Sequence, residues 1–187
     1  MSNLGKWSHW YQDVGERAPY GDTESYRLGA EFLADCPTVE DWGCGRGWFA
    51  TLRTGTCISV DGSASPFVDR IVDLEAYVSR ADGIFMRHVL EHNYGWRRIL
   101  SNALASFTSR MVLVIFTPWS DDETKAIRFV ERVGVPDIAF RRQDIVEMLQ
   151  GLEWELRELT SPAVIYGQEH VFLIHRPAAY GVGDATR

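Results

Sequence analysis

The chain has 187 residues, is 45% hydrophobic, and carries a net charge of −7 from 19 Lys plus Arg against 26 Asp plus Glu. That length suits one domain over residues 1–187 with a real core, and the acidic balance argues against a nucleic-acid partner, which calls for a basic face. No apolar run approaches a membrane span, the first residues lack the apolar segment of a signal peptide, and Cys36, Cys44 and Cys57 form no C-x-x-C pair, so the expectation is a cytoplasmic protein with no membrane partner, disulfide framework or thiolate zinc site.

Residues 1–22 are aromatic and turn-rich, with Trp7, Trp10, Tyr11 and Tyr20 and no sustained period. Such a leader acts either as a lid over a pocket or as a flap that completes the core. Asp22 or Thr23 caps a helix to about residue 34, with Tyr26, Ala30 and Leu33 on one face. Pro37 breaks the chain before residues 38–47, Thr-Val-Glu-Asp-Trp-Gly-Cys-Gly-Arg-Gly. A short run ends in the carboxylate of Asp41 and opens into Gly43, Gly45 and Gly47 with Cys44 between the first two. Alternate glycines after a strand mark a turn that takes positive φ and lays bare main chain against a ligand. The dinucleotide fingerprint needs a glycine where Trp48 stands, which ranks a nicotinamide oxidoreductase lower.

The helix after the turn must end near Thr54 and Gly55, because residues 57–60 read as a strand closed by Asp61 and Gly62. Asp61 falls twenty residues after Asp41, where this architecture sets a carboxylate against ribose hydroxyls. Residues 71–74 read as a third short strand containing Asp73 and Leu74, reached by too few residues for a crossover helix. Residues 83–86 read as a buried central strand, followed by Arg87-His88-Val89-Leu90-Glu91-His92 and a helix over 93–106 with Trp96, Ile99, Leu100 and Ala103 inward. Residues 111–116 are a fifth buried strand. Residues 121–132 are expected to be helical, with Arg128, Arg132, Arg141 and Arg142 as solvated charge, and 134–140 irregular. A short helix over 144–149 precedes strands at 153–159 and 170–174, which form an antiparallel pair at the sheet edge; the tail over 178–187 is expected to be flexible.

The sequence Asp41-x-Gly43-x-Gly45-x-Gly47, the acids Asp61 and Asp73, and the segment from Asp82 through His88-Val89-Leu90-Glu91-His92 follow one another in the order of class I S-adenosylmethionine-dependent methyltransferases. Over residues 23–177 the chain resembles that family. The resemblance implies a Rossmann-like methyltransferase fold, α/β, with a mostly parallel sheet, a C-terminal antiparallel hairpin and helices on both faces. It implies S-adenosylmethionine as cofactor and S-adenosylhomocysteine as product. Gly43, Cys44, Gly45 and Gly47 would lie under it, Asp61 and Gly62 at the ribose, Asp73 and Leu74 at the adenine, and Arg87 and His88 at the methionine end. Asp41, Asp61 and Asp73 along one sheet edge suit a cationic ligand. A chain this short has no separate substrate domain, and the residues after the fourth strand are not those of amino-directed DNA methyltransferases. The expected acceptor is therefore a small molecule or sugar, methylated at oxygen with His88 or His92 as base. Trp7, Trp10, Tyr11, Tyr20 and Trp119 are the candidate acceptor wall.

Two other readings remain open: a nicotinamide oxidoreductase, and a non-catalytic partner subunit that keeps the fold. His88-Val89-Leu90-Glu91-His92 also spells the inverted zinc-protease signature. It sits at a strand mouth without a well-placed third ligand, so no metal is expected.

Overall fold

Apolar side chains alternate along the central strands and divide the core into two faces. In a computed structural model describing residues 3–13 and 15–177, the chain runs through α1 (Ser8–Tyr11), α2 (Glu24–Phe32), β1 (Thr38–Trp42), a 3₁₀ turn at Phe49–Leu52, β2 (Thr56–Asp61) and β3 (Arg70–Ile71). It continues through β4 (Ala81–Arg87), a 3₁₀ turn at Leu90–His92, α3 (Trp96–Ser106), β5 (Phe107–Ile115), β6 (Lys125–Val130), β7 (Val135–Ala139), α4 (Arg142–Met148), β8 (Glu153–Thr160) and β9 (Gln168–His175). The tail over 178–187 lies outside the described residues.

Seven strands form one sheet in the order β3-β2-β1-β4-β5-β9-β8. The pairs from β3 to β5 are parallel, whereas β9 runs antiparallel to both β5 and β8. On one face, Trp42, Ile84, Met86, Met111, Leu113 and Phe172 meet Ile99, Leu100 and Ala103 of α3 and Ile145 of α4. On the other, Val39, Phe85, Val112, Val114 and Val171 meet Tyr26 of α2 and Phe49 of the first 3₁₀ turn. Period-two alternation therefore gives a sheet covered by helices on both sides. Strand order reverses between β1 and β4, and the crevice at that switch point, outside the carboxyl strand ends, is where open α/β sheets bind ligands. Among the described residues, no helix is long and apolar enough to cross a membrane.

The short second and third units lack crossover helices, and a buried acid holds the coil there instead. Glu40, 2% exposed, accepts from Trp42 Nε1 at 2.8 Å and Ser79 Oγ at 2.6 Å on one oxygen. Its other oxygen takes Arg70 Nη1 at 2.9 Å and Tyr77 Oη at 3.1 Å. Four donors satisfy a carboxylate that would be costly to bury alone.

Three sequence expectations are corrected. The third strand ends at Ile71, because the Asp73 side chain accepts from Glu75 N at 3.0 Å and turns the chain. The helix over 93–106 begins at Trp96, after the second 3₁₀ turn and the turn at Asn93. Residues 121–132 are not helical, and 134–140 are not irregular: β6 and β7 pair as an antiparallel hairpin. Ala126, Phe129, Val130 and Val133 do recur at helical spacing, but Ile127, Phe129 and Val130 also favour strand, and pairing with β7 decides for the hairpin. Gly134, at φ +73, closes the turn by donating to Val130 O at 2.8 Å. Arg128 and Arg132 accordingly lie on this hairpin, Arg128 beside Asp137 and Arg132 over the Trp10 ring at 4.1 Å.

Candidate functional site

The bend after β1 is built from residues without side-chain bulk. Gly43, Gly45 and Gly47 take φ of +75, +51 and +67. A Cβ at Gly43 would stand 2.3 Å from Val89 Cγ2, and one at Gly47 2.8 Å from Phe67 Cβ. Gly43 N and Cys44 N both donate to Val60 O, at 2.8 and 3.1 Å, which holds the bend against the end of β2. Asp61, at that end, accepts from Gly45 N at 2.9 Å on one oxygen and from Ser63 N at 2.8 Å on the other.

A cavity of about 190 Å³ opens over this bend. Its walls bring together Gly43, Cys44, Gly45, Asp61, Gly62, Asp73, Leu74, Arg87, His88 and His92 of the sequence-predicted residues. Asp41 and Gly47 do not line it. Asp41 is buried beneath the bend at 3% exposure, and the Gly47 carbonyl accepts Arg17 Nη1 at 2.9 Å. Val72, Leu74 and Ile99 make one end apolar. Trp7, Tyr11, Phe116 and the two imidazoles bring aromatic rings to the wall.

The acids at this strand edge are perturbed. Burial, and then the Asp61 carboxylate, push Asp41 up to about 8 against the pull of Arg87 and Arg17. Burial pushes Asp61 up to about 6, opposed by the N–H groups of Gly45, Ser63 and Gly62. A buried, acid-rich edge of this kind favours a cation, which would restore both charges.

Arg87 is held by the fold itself. It donates to Ser25 Oγ at 3.0 Å and Tyr26 Oη at 3.1 Å, both on α2, to Tyr20 O at 2.8 Å and to Glu169 Oε1 at 2.5 Å. His88 follows at φ +57, the one positive-φ residue besides glycine among the described residues. Its Nε2 meets the same Glu169 oxygen at 2.7 Å. Such backbone strain persists only where surrounding contacts hold it, and here Glu169 and the His88 N–H to Val114 O at 3.0 Å do so. The segment is not one helix: β4 ends at Arg87, His88 is left-handed, and the 3₁₀ turn covers only Leu90–His92. His88 and His92 are committed to different acids, Glu169 and Asp137.

The leader lies across the cavity. Gly5 N donates to Gly62 O at 2.7 Å, Trp7 N to Ser63 Oγ at 3.0 Å, and Asn3 Nδ2 to Asn93 Oδ1 at 2.8 Å. Trp7, Tyr11 and Tyr20 reach the wall; Trp10 lies under Arg132, and Trp119 stacks on His170 at 4.3 Å, away from it. Glu169 and Asp137 were not anticipated from sequence. The available signal was an acid set inside an apolar strand, Gln-Glu-His-Val-Phe-Leu-Ile in β9 and Val-Pro-Asp-Ile-Ala in β7, since a buried acid needs a partner.

No protein-family model and no curated protein matches this chain in sequence. Solved structures do match in fold. The chain is similar to a 1,6-didemethyltoxoflavin-N1-methyltransferase from Burkholderia thailandensis, bound to 1,6-didemethyltoxoflavin and S-adenosylhomocysteine, at a TM-score of 0.65 and 16% identity over 92% of this chain and 84% of that one. It is also similar to magnesium protoporphyrin IX methyltransferase from Synechocystis PCC 6803 with bound S-adenosylmethionine, at 0.57 and 14% over 82% and 78%. An O-methyltransferase family protein from Burkholderia thailandensis matches at 0.58 and 15% over 81% of this chain and 55% of that one. The fold is that of class I methyltransferases.

Proposed function

We propose that this protein is an S-adenosylmethionine-dependent methyltransferase that methylates a small-molecule acceptor at oxygen. The observation that carries this is the bare glycine bend and the acids Asp61 and Asp73 lining one cavity at the switch point of a methyltransferase fold. The residues present suit the cofactor. Val72, Leu74 and Ile99 offer an apolar bed for a purine. The Asp61 carboxylate, in the cavity wall, suits ribose hydroxyls as an acceptor, and Gly45 leaves bare main chain at the methionine end. Asp41 and Asp61, raised by burial, match a ligand that carries positive charge. When bound, S-adenosylmethionine supplies an electrophilic methyl group on a sulfonium.

The chain's own part is to position the acceptor, exclude water and take a proton. The leader closes over the cavity as a lid, with Trp7 and Tyr11 shielding it from solvent. Oxygen is favoured as acceptor atom because two imidazoles flank Phe116 in the wall, their ring centroids 4.6 and 5.5 Å from its own. A hydroxyl needs a base as its bond to the methyl carbon forms. Two of the similar structures are named for different acceptors, 1,6-didemethyltoxoflavin and magnesium protoporphyrin IX, so the acceptor reading rests on this wall and not on them.

Calorimetric titration with S-adenosylmethionine, S-adenosylhomocysteine and NAD tests the assignment. The two adenosyl ligands are expected to bind at submillimolar levels, Asp61→Ala to abolish that binding, and NAD not to bind. Saturable NAD binding in place of the adenosyl ligands would overturn it.

A further inference from the structure

The two histidines in the wall are held in opposite ways. His88 Nε2 shares one oxygen of Glu169 with the Arg87 guanidinium. An acid already neutralised by arginine is a weak support for an imidazolium. Burial and then Arg87 push His88 down to about 3, against the opposing pull of Glu169. His88 is therefore a neutral ring whose N–H is spent on the scaffold.

His92 faces the other way. Its Nδ1 lies 3.0 Å from the Pro136 carbonyl oxygen and 3.3 Å from Asp137 Oδ1. Neither oxygen donates when Asp137 is ionised, so Nδ1 carries the hydrogen and Nε2 holds the free lone pair. Asp137 is 2% exposed and is itself fixed, accepting from Tyr166 Oη at 3.0 Å with Arg128 Nη1 3.5 Å from the same oxygen. The charged and titratable groups around His92 are Asp137 from β7, Arg128 behind it on β6, Tyr166 before β9, Glu91 within the same 3₁₀ turn and His88 across Phe116. Burial alone would lower His92, but Asp137, Glu91 and the Pro136 carbonyl outweigh it and leave the ring raised above 6.5. The ring sits in the cavity wall with its centroid 5.2 Å from that of Trp7 and 5.5 Å from that of Phe116. An imidazole in the cavity wall, pinned through one nitrogen by a buried acid and with the other nitrogen free to accept, has the makings of a general base.

We propose that the acceptor is a planar aromatic or heteroaromatic ring bearing a hydroxyl, that it enters between Trp7 and Phe116, and that His92 Nε2 takes the hydroxyl proton while Asp137 holds the imidazole. This rests on the methyl-transfer reading above. The O–H bond breaks with its pair on oxygen and the proton on Nε2. Oxygen's pair bonds the methyl carbon, the carbon–sulfur bond breaks with its pair on sulfur, and water later takes the proton from the imidazolium. Aromatic walls suit a flat ring through offset or edge contacts, and a base suits a hydroxyl that ionises readily. Asp137 acts only through His92, so it is a positioning residue.

The test uses the full chain saturated with S-adenosylhomocysteine, with 4-nitrocatechol as probe. Nitrogen NMR should find His92 protonated on Nδ1 when neutral, with its midpoint above 6.5 in the wild type. In Asp137→Asn that midpoint should fall from its wild-type position, because the largest raising partner is lost, and Asp137→Glu should restore it. Absorbance should show 4-nitrocatechol bound as its phenolate, about tenfold more weakly in Asp137→Asn, with S-adenosylhomocysteine affinity unchanged within about twofold. A His92 midpoint indifferent to Asp137→Asn, or a hydrogen on Nε2, overturns the assigned base. Absence of saturable 4-nitrocatechol binding while S-adenosylhomocysteine binds overturns the acceptor class. Failure of the wild type to bind S-adenosylhomocysteine removes the methyl-transfer reading instead.

Discussion

Replacing Asp41 by asparagine should change how the stability of the ligand-free protein depends on pH. In the fold, burial and the neighbouring Asp61 hold the Asp41 proton up to about 8, whereas the unfolded chain loses it near 3.8. The folded state thus binds the extra proton throughout that window, and stability falls as pH rises from the lower value to the higher. Each pH unit inside the window costs about 1.4 kcal/mol, so the interval from about pH 5 to about pH 8 costs roughly 4 kcal/mol. For a chain of this length that is a drop in Tm of about 10 °C. Asp61 and Glu91, raised to about 6 and about 7 mainly by burial, act in the same direction, so the wild-type curve alone does not isolate Asp41. The difference between wild type and Asp41→Asn does, because the amide keeps the shape and does not titrate. Urea unfolding at several pH values should give curves that agree near pH 5 and diverge by roughly 4 kcal/mol by pH 8, with the variant more stable. A difference curve that stays flat, or a wild type that gains stability through the window, would refute the claim that this carboxyl is held protonated. With S-adenosylmethionine present, the gain on binding should rise with pH in the wild type and less so in the variant, where only Asp61 of the two acids still titrates, since a cation favours the carboxylate.

Gly43→Ala should destabilise by about 2–4 kcal/mol and weaken adenosyl-ligand binding, because its Cβ would fall 2.3 Å from Val89 Cγ2 at a φ of +75; urea unfolding and calorimetry measure the two effects, and a variant equal to wild type would count against a rigid bend. Glu169→Gln leaves the buried Arg87 without its counter-charge and should cost about 3–5 kcal/mol in chemical unfolding. Glu40→Ala strips four donors of their acceptor and should cost at least about 2 kcal/mol, with faster hydrogen exchange in the coil between β3 and β4 as the local sign.

The parallel core and the ligand bend were legible in the sequence because both are local patterns. Strand-length apolar runs over residues 83–86 and 111–116 leave few alternatives to buried strands. Glycines at alternate positions after Asp41 admit a bend and little else. The β6–β7 hairpin was not legible, residues 121–132 reading as helix and 134–140 as irregular, because Ala126, Phe129, Val130 and Val133 fall at helical spacing and the hairpin lies outside the main sheet, where only its own pairing fixes it.

By itself, then, the sequence determined the α/β order, the glycine bend and the acids at the strand tips, each written within a few neighbouring residues. Only the tertiary structure decided which acid stands behind which histidine. Glu169 reaches His88 across 81 positions of sequence and Asp137 reaches His92 across 45. No local pattern encodes such pairings. They arise because β9 inserts beside β5 and because the hairpin packs β7 against the second 3₁₀ turn. An imidazole becomes a candidate base or a structural tie according to the charge that folding brings to its other nitrogen.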